Sequence, residues 1–423
     1  MRKNRFLPVG RVLAIVTTLV IDVGFRCEAS VDEQQTTTSS SEEKEGDEEE
    51  AGPSGDTSAF VRVSFEPTYV LPTTDFVRGD NRAGEPIDWG AAIQAEVGWE
   101  VSGSEDWHHL YRFPSYGVGV SVAALGSEEL GTPVDVYGFF DWPFASLSSR
   151  AELSTDLGFG VTFGWQPYDP ETNPANRAIG SMTTFTIDWG LFLRYFLTHR
   201  IDVYAGVSFS HFSNGSLRAP NAGLNTLGPI VGIHYRLADR RAHPDRRPTP
   251  ELGSRWGTAI WGAGGAKSIE VPTEVPERET IDTRQRFAIA NVGATLLYRA
   301  HPMSTLRGGV DLTYDESANV GGSGADVDKR GLGLYGGYQQ EIGKFAVLVD
   351  LGYYVWRGSE YSLSPGAYQR LGWNYRFLGN AYTGIQVRFI DFRRADFIEW
   401  TLGYRFDWPR RSGSKGVDRQ EIH

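Results

Sequence analysis

The stretch IDVYAGVSFSHFSNGSLRAPNAGLNTLGPIVGIHYRL, from Ile201 to Leu237, holds two runs of two-residue alternation on either side of a loop. In the first, Ile201, Val203, Ala205, Val207 and Phe209 form an unbroken apolar stripe, and Asp202, Tyr204, Ser208 and Ser210 take the opposite face. In the second, Leu227, Pro229, Val231, Ile233, Tyr235 and Leu237 do the same. A period of two is that of a strand with unlike faces. The first stripe then runs on into His211 and Ser213, and stepping back by two from Leu227 reaches Asn225. Paired as a hairpin, the two runs bring His211, Ser213 and Asn225 together where the apolar face ends.

The same alternation recurs through the chain. Trp89 to Val101, Leu153 to Phe163, Phe185 to Leu197 and Ile398 to Trp408 each set large apolar residues against polar or small ones. With 50 glycines, 13% aromatics and 22% charged residues, the composition favours strands and turns over helices. A soluble sandwich and a membrane barrel both use alternating strands, but sandwich strands are usually about 5–6 residues. Many runs here exceed that, as a tilted membrane crossing requires, and aromatics such as Trp89 and Trp99 sit at run ends, where interfacial girdles form. The expectation is an all-β protein, an antiparallel transmembrane β-barrel of roughly 14–16 strands. The barrel is assigned to residues 59–408, with strands over 59–239 and 255–408 parted by the Arg- and Pro-rich break at 240–254. One large barrel is expected rather than two modules, and no strong internal repeat argues for a duplication.

Arg2, Lys3, Arg5 and Arg11 ahead of the apolar run Val12 to Val20 read as an export signal, residues 1–29, with Cys27-Glu28-Ala29 at the cleavage region. Residues 30–58 are an acidic low-complexity tether with no periodicity, expected to be disordered, and residues 409–423 form a C-terminal tail. Much of the net charge of −12 comes from Glu42, Glu43, Glu45, Asp47, Glu48, Glu49 and Glu50. The rest is nearer neutral, so no nucleic-acid partner is indicated. Loss of Cys27 with the signal would leave no thiol chemistry.

Few other residues carry chemistry. The remaining histidines form no His-Glu-x-x-His or similar ligand set, so no metal and no cofactor is expected. Gly262-Ala263-Gly264-Gly265 lacks a following Gly-Lys-Ser/Thr and reads as a strand kink or bulge. Glu152, Asp156 and Asp188 fall on inward positions, where a lumen network with Arg194 and Arg388 is expected.

His211-Phe212-Ser213-Asn214 followed by Pro220-Asn221-x-Gly223 resembles the His-x-Ser-Asn … Pro-Asn-x-Gly motif of the outer-membrane lipid A 3-O-deacylases, with matching spacing. YGVGV at Tyr116 to Val120, PYDPETNPANRAIGS at Pro167 to Ser181 and ADFIEWTLGYRF at Ala395 to Phe406 are similar to the longer acyloxyacyl hydrolase branch, a likeness that spans nearly everything after Ser58. The resemblance implies hydrolysis of an ester-linked acyl chain on lipid A in the bacterial outer membrane. It implies Ser213 as nucleophile, His211 as general base, and Asn221 with Asn214 and Gly223 in the substrate- and oxyanion-binding set. The smaller deacylases carry a glutamate where this sequence has Asn225, so the resemblance implies either an amide as third member of the triad, as in papain-like proteases, or an acid supplied from elsewhere, such as the Asp169 to Arg177 loop.

Three functions follow from these readings. In the first, lipid A lies against the outer wall of the barrel with an ester at Ser213, and the active site faces the outer leaflet because the His211 run is about the seventh strand. In the second, the protein is a non-catalytic channel or structural barrel. The third is an acyltransferase using similar residues with another acceptor.

Overall fold

The computed structural model describes residues 57–101, 103, 105–240, 247–269, 271–272, 281–282, 285–319, 328–358, 366–392 and 394–408. The export signal, nearly all of the tether and the tail lie outside the described residues. The chain divides into two compact units, one of Met1–Asn214 with Pro220–Arg247, the other of Gly215–Ala219 with Pro248–His423. Among the described residues, no helix is long and apolar enough to cross a membrane.

The first unit holds β1 (Thr57–Val70), β2 (Trp89–Val101), β3 (Ser115–Ala124), β4 (Gly131–Ser148), β5 (Ala151–Trp165), β6 (Thr183–Phe196), β7 (Ile201–Ser213) and β8 (Leu224–Arg236). Each strand pairs antiparallel with the next, and β1 closes on β8 with Phe60 opposite Arg236 and Val70 opposite Thr226. Two short helices, α1 (Asp75–Arg78) and α2 (Asp106–Leu110), lie in the connections. The second unit repeats this plan. It holds β9 (Trp256–Ser268), a minor ladder of β10 (Val271–Pro272) with β11 (Ile281–Asp282), then β12 (Arg286–His301), β13 (Ser304–Asp315), β14 (Arg330–Ile342), β15 (Phe345–Arg357), β16 (Ala367–Leu378), β17 (Ala381–Ile390) and β18 (Arg394–Asp407). There β9 pairs with both β12 and β18 and closes the ring.

The expected strand number is therefore met, but by two closed eight-stranded barrels rather than one large one. Alternation reports which face a residue takes and not which strand its own strand finally pairs with. Closure of β1 on β8 is a long-range choice, and the break at 240–254 marked it.

Alternation sorts the side chains as expected. Val203, Val207, Leu191, Leu193, Val231 and Ile233 are exposed on the outside of the first barrel, while Asp202, Tyr204, Ser208 and Ser210 are buried within it. An eight-stranded barrel is just wide enough for side chains to fill, and the filling here is charged. Arg62 pairs with Glu96, with Asp141 at 2.9 Å and with Asp156 at 3.6 Å. Arg194 pairs with Asp141 and with Glu152 at 3.5 Å. Toward the β7–β8 connection the filling becomes apolar. Val70, Phe76, Val77, Leu125, Leu130, Trp165, Ile179, Phe212 and Leu224 form one buried cluster.

The second barrel has its own network. Arg370 reaches Asp311 at 2.5 Å and Asp350 and Glu399 at 3.4 Å, and Arg388 reaches Asp311 at 3.3 Å. Arg194 and Arg388 thus belong to separate barrels and share no network, against the sequence expectation. Gly262 to Gly265 are no kink: they lie in the continuous ladder of β9, and a Cβ at Gly265 would fall 2.0 Å from the Ile398 carbonyl oxygen.

Removing one partner of a buried ion pair leaves the others uncompensated, at a cost of about 3–5 kcal/mol. Arg370→Ala is accordingly expected to lower the urea midpoint of the folded protein in detergent, followed by the gel shift between folded and unfolded forms. An unchanged midpoint would show that the second barrel does not depend on this network.

Candidate active site

The β7–β8 hairpin carries the residues singled out in the sequence. His211 lies directly opposite Asn225, one step from the inward pair Phe212 and Leu224. Those two side chains are fixed in the apolar cluster, with the Phe212 ring 5.3 Å from that of Trp165. Because side chains alternate, burying Phe212 and Leu224 turns His211 and Asn225 to the other face. His211 Nδ1 and Asn225 Oδ1 are 2.7 Å apart. An amide oxygen only accepts, so Nδ1 is the donor and Nε2 keeps its lone pair.

Ser213 lies two residues on from His211, on the same face and about 6.6 Å further along the strand. Its Oγ accepts a hydrogen bond of 2.8 Å from Asn221 Nδ2, and Asn221 Oδ1 accepts the Asn214 backbone N–H at 3.1 Å. The Asn221 side chain thus spans the loop mouth from Ser213, the last residue of β7, to Asn214, the residue that follows it. Asn214, 2% exposed, sends its own amide to Ser181 Oγ at 3.1 Å.

Gly223 has φ +77°, and a Cβ there would lie 3.1 Å from His211 Cε1. Glycine at this position gives the returning strand its left-handed entry and leaves room for the ring. The loop 166–182 supports the turn from behind: the Ala178 and Arg177 carbonyls accept the N–H groups of Gly223 at 3.0 Å and Ala222 at 3.3 Å. Asn176, fully buried, ties that loop down by donating to the Gln166 and Glu129 carbonyls at 2.8 and 3.1 Å.

All six residues expected from the sequence thus meet at one end of one hairpin, but they divide the work differently. The backbone N–H groups of Asn214 and Gly223 are occupied by Asn221 and Ala178, so Asn221 is the member of the expected oxyanion set whose side-chain donor reaches Ser213. Among the described residues no carboxylate bonds the His211 ring. Asp169, the first acid of the neighbouring loop, accepts from the amides of Glu171 at 3.0 Å and Thr172 at 2.7 Å. Sequence reading missed the contribution of the connection 71–88, where the Leu71 N–H donates to the Asn225 carbonyl at 2.9 Å and Thr73 Oγ1 accepts from Asn225 Nδ2 at 3.4 Å. The signal for it is not local, since it arises from the closure of β1 on β8.

Comparison with known families adds to this geometry. The family described as Lipid A 3-O-deacylase (PagL) matches residues 93–234, and the one described as Acyloxyacyl hydrolase, C-terminal domain, matches residues 256–408. Together the two matches cover most of the chain, and each falls on one barrel. The chain belongs to the lipid A 3-O-deacylase and acyloxyacyl hydrolase family. Membership in this family implies the outer membrane, in keeping with two barrels whose outward faces are apolar.

No curated protein matches this family member. Several solved structures are remotely similar. Neisserial surface protein A is 11% identical over 42% of this chain and 97% of its own, with a TM-score of 0.27. A ferric enterobactin receptor mutant from Pseudomonas aeruginosa is 11% identical over 78% of this chain and 53% of its own, with a TM-score of 0.21. A porin mutant from Rh. blastica is 10% identical over 83% of this chain and 100% of its own, with a TM-score of 0.17. Scores this low carry no argument about function.

Gly223→Ala places a side chain in a left-handed conformation, at a cost of roughly 1–2 kcal/mol, and crowds His211. Thermal unfolding in detergent should show a modestly destabilised but folded barrel with a displaced His211 signal in 15N-histidine spectra. A His211 signal identical to wild type would contradict the close approach.

Proposed function

We propose that the chain is an outer-membrane hydrolase that removes an ester-linked acyl chain from lipid A, with Ser213 as nucleophile, His211 as general base and Asn225 orienting the base. The observation that carries this reading is the 2.7 Å contact between His211 Nδ1 and Asn225 Oδ1 beside a serine on the same strand face. It leaves Nε2 basic, the state a general base needs. The face also matters. His211 and Ser213 share the parity of Val203 and Val207, the exposed apolar stripe. A substrate reaching them lies along the barrel wall, as a membrane lipid does.

The ends of the first barrel are unlike, and this supports a site on the outer leaflet. At the end carrying the hairpin mouth the connections are 71–88, 125–130, 166–182 and 214–223, whereas the other end has the tight turns 149–150 and 197–200 and one longer connection, the β2–β3 link that holds α2. Outer-membrane barrels keep short turns in the periplasm and longer loops outside.

The chemistry follows from the groups in place. His211 Nε2 takes the Ser213 hydroxyl proton as Oγ attacks the ester carbonyl carbon, and negative charge develops on the carbonyl oxygen. An amide nitrogen has two hydrogens, so the Asn221 group that reaches Ser213 Oγ can also donate to the forming oxyanion. Collapse expels the sugar alkoxide, which takes the proton from His211, and leaves an acyl-Ser213 ester. Water then repeats the sequence and releases the fatty acid. Throughout, the Asn225 oxygen accepts from the imidazolium, though with less stabilisation than a carboxylate gives.

The test is the rate at which Ser213 is trapped by an alkyl fluorophosphonate, mapped by peptide mass spectrometry. His211→Ala should abolish trapping in a folded barrel. Asn225→Ala should slow it by roughly tenfold to a hundredfold, less than the loss of a charged third member. Asn225→Asp, which keeps the length that makes the 2.7 Å contact, should react at least as fast as wild type. Equal trapping in all four proteins, or none in wild type, would favour the non-catalytic barrel.

A further inference from the structure

We propose that Thr73 is a positioning residue that fixes which way the Asn225 amide faces, and thereby which nitrogen of His211 carries the ring proton. The inference rests on the reading of His211 as general base and adds a residue that neither sequence motif nor family match points to.

A carboxylate in the third position offers an acceptor whichever oxygen turns to the ring. An amide does not. With Oδ1 toward the ring it draws the proton to Nδ1 and frees Nε2. With Nδ2 toward the ring it donates to Nδ1 and drives the proton to Nε2, the nitrogen that must accept from Ser213. Such a reversed tautomer is what makes an asparagine in place of the triad aspartate so damaging, at about 10⁴-fold in kcat for a serine protease. An asparagine that works there needs something to hold its orientation.

Thr73 supplies it. Its hydroxyl donates to the Leu71 carbonyl at 3.4 Å, so the oxygen presents lone pairs to Asn225 and accepts from Nδ2 at 3.4 Å. In the flipped amide, Oδ1 would face the hydroxyl oxygen, and the hydroxyl could serve it only by giving up its bond to the Leu71 carbonyl. Anchored on the Leu71 carbonyl, the two hydrogen bonds of the amide thus favour one orientation, the logic by which amide ends and imidazole tautomers are assigned in any such network.

The placement of Thr73 is itself determined. The Leu71 N–H extends the β1–β8 ladder by one bond onto the Asn225 carbonyl, the Thr73 N–H returns to the Leu71 carbonyl at 2.7 Å, and Arg78 Nε holds the Pro72 carbonyl at 3.0 Å. Thr74 caps α1 through its side chain, and Phe76 and Val77 of that helix are anchored in the apolar cluster. The residue touching Asn225 is thereby coupled to the barrel interior.

The experiment combines 15N-histidine NMR at neutral pH, with the His211 signals assigned by His211→Gln, and fluorophosphonate trapping. Wild type should show a protonated Nδ1 and a bare Nε2. In Thr73→Val both amide orientations become open, so the proton should divide between Nδ1 and Nε2 and trapping should fall several-fold, well short of the limit for a fully reversed tautomer, with Thr73→Ser restoring both. In an Asn225→Asp background, where no orientation has to be chosen, Thr73→Val should leave the ring protonated on Nδ1. An unchanged tautomer in Thr73→Val, or the same tautomer change in both backgrounds, would overturn the proposal. Trapping that survives in Ser213→Ala would instead fault the choice of nucleophile, and the tautomer measurement would still decide the role of Thr73.

Discussion

Backbone N–H and C=O groups that cross a bilayer find no partner in lipid, and this one constraint sets the rest of the structure. It requires each sheet to close on itself, which β1 on β8 and β18 on β9 achieve. Closure in turn splits every strand into a face toward lipid and a face toward a narrow lumen. The lumen then has to be filled with groups that satisfy one another, and Arg62, Arg194 and Arg370, each ringed by carboxylates, are the result.

The candidate site exploits the place where this constraint relaxes. As β7 runs out into its loop, outward positions are free to be polar, and His211 and Ser213 appear on a stripe that was apolar up to Phe209. Beneath them the lumen filling changes from charged to apolar. Phe212 and Leu224 are locked in that cluster, so the outward pair His211 and Asn225 is presented on a stiff element. Loops then complete the site: Asn221 comes from the turn itself, the carbonyls of Arg177 and Ala178 from one neighbouring loop, and Thr73 from another. A constellation held by ladder hydrogen bonds and packed side chains is the arrangement expected where geometry has to be kept within a fraction of an ångström.

Much of this was legible in the sequence because a strand period of two is short-range information. The run Trp89 to Val101 matches β2 residue for residue, and stepping back from Leu227 to Asn225 gave the pairing seen in the register. What could not be read was set by contacts far apart in the chain. Sixteen alternating runs are compatible with one ring or two, and only the pairing of Val70 with Thr226 decides for a ring of eight. The same closure brings Thr73 to Asn225, two residues 152 positions apart. The occupation of the Asn214 and Gly223 amides was hidden for a related reason, since their acceptors come from loop geometry that periodicity does not encode.

The proposed role of Ser213, served by His211, is hydrolysis of an ester on a membrane lipid at the barrel wall. It is tested most directly by mass spectrometry of lipid A from cells carrying the wild-type protein and cells carrying Ser213→Ala, with equal amounts of folded barrel in the two membranes. Lipid A lighter by one ester-linked acyl chain is expected with the wild type, and intact lipid A with Ser213→Ala. The same acyl loss in both strains, or intact lipid A in both, would contradict it.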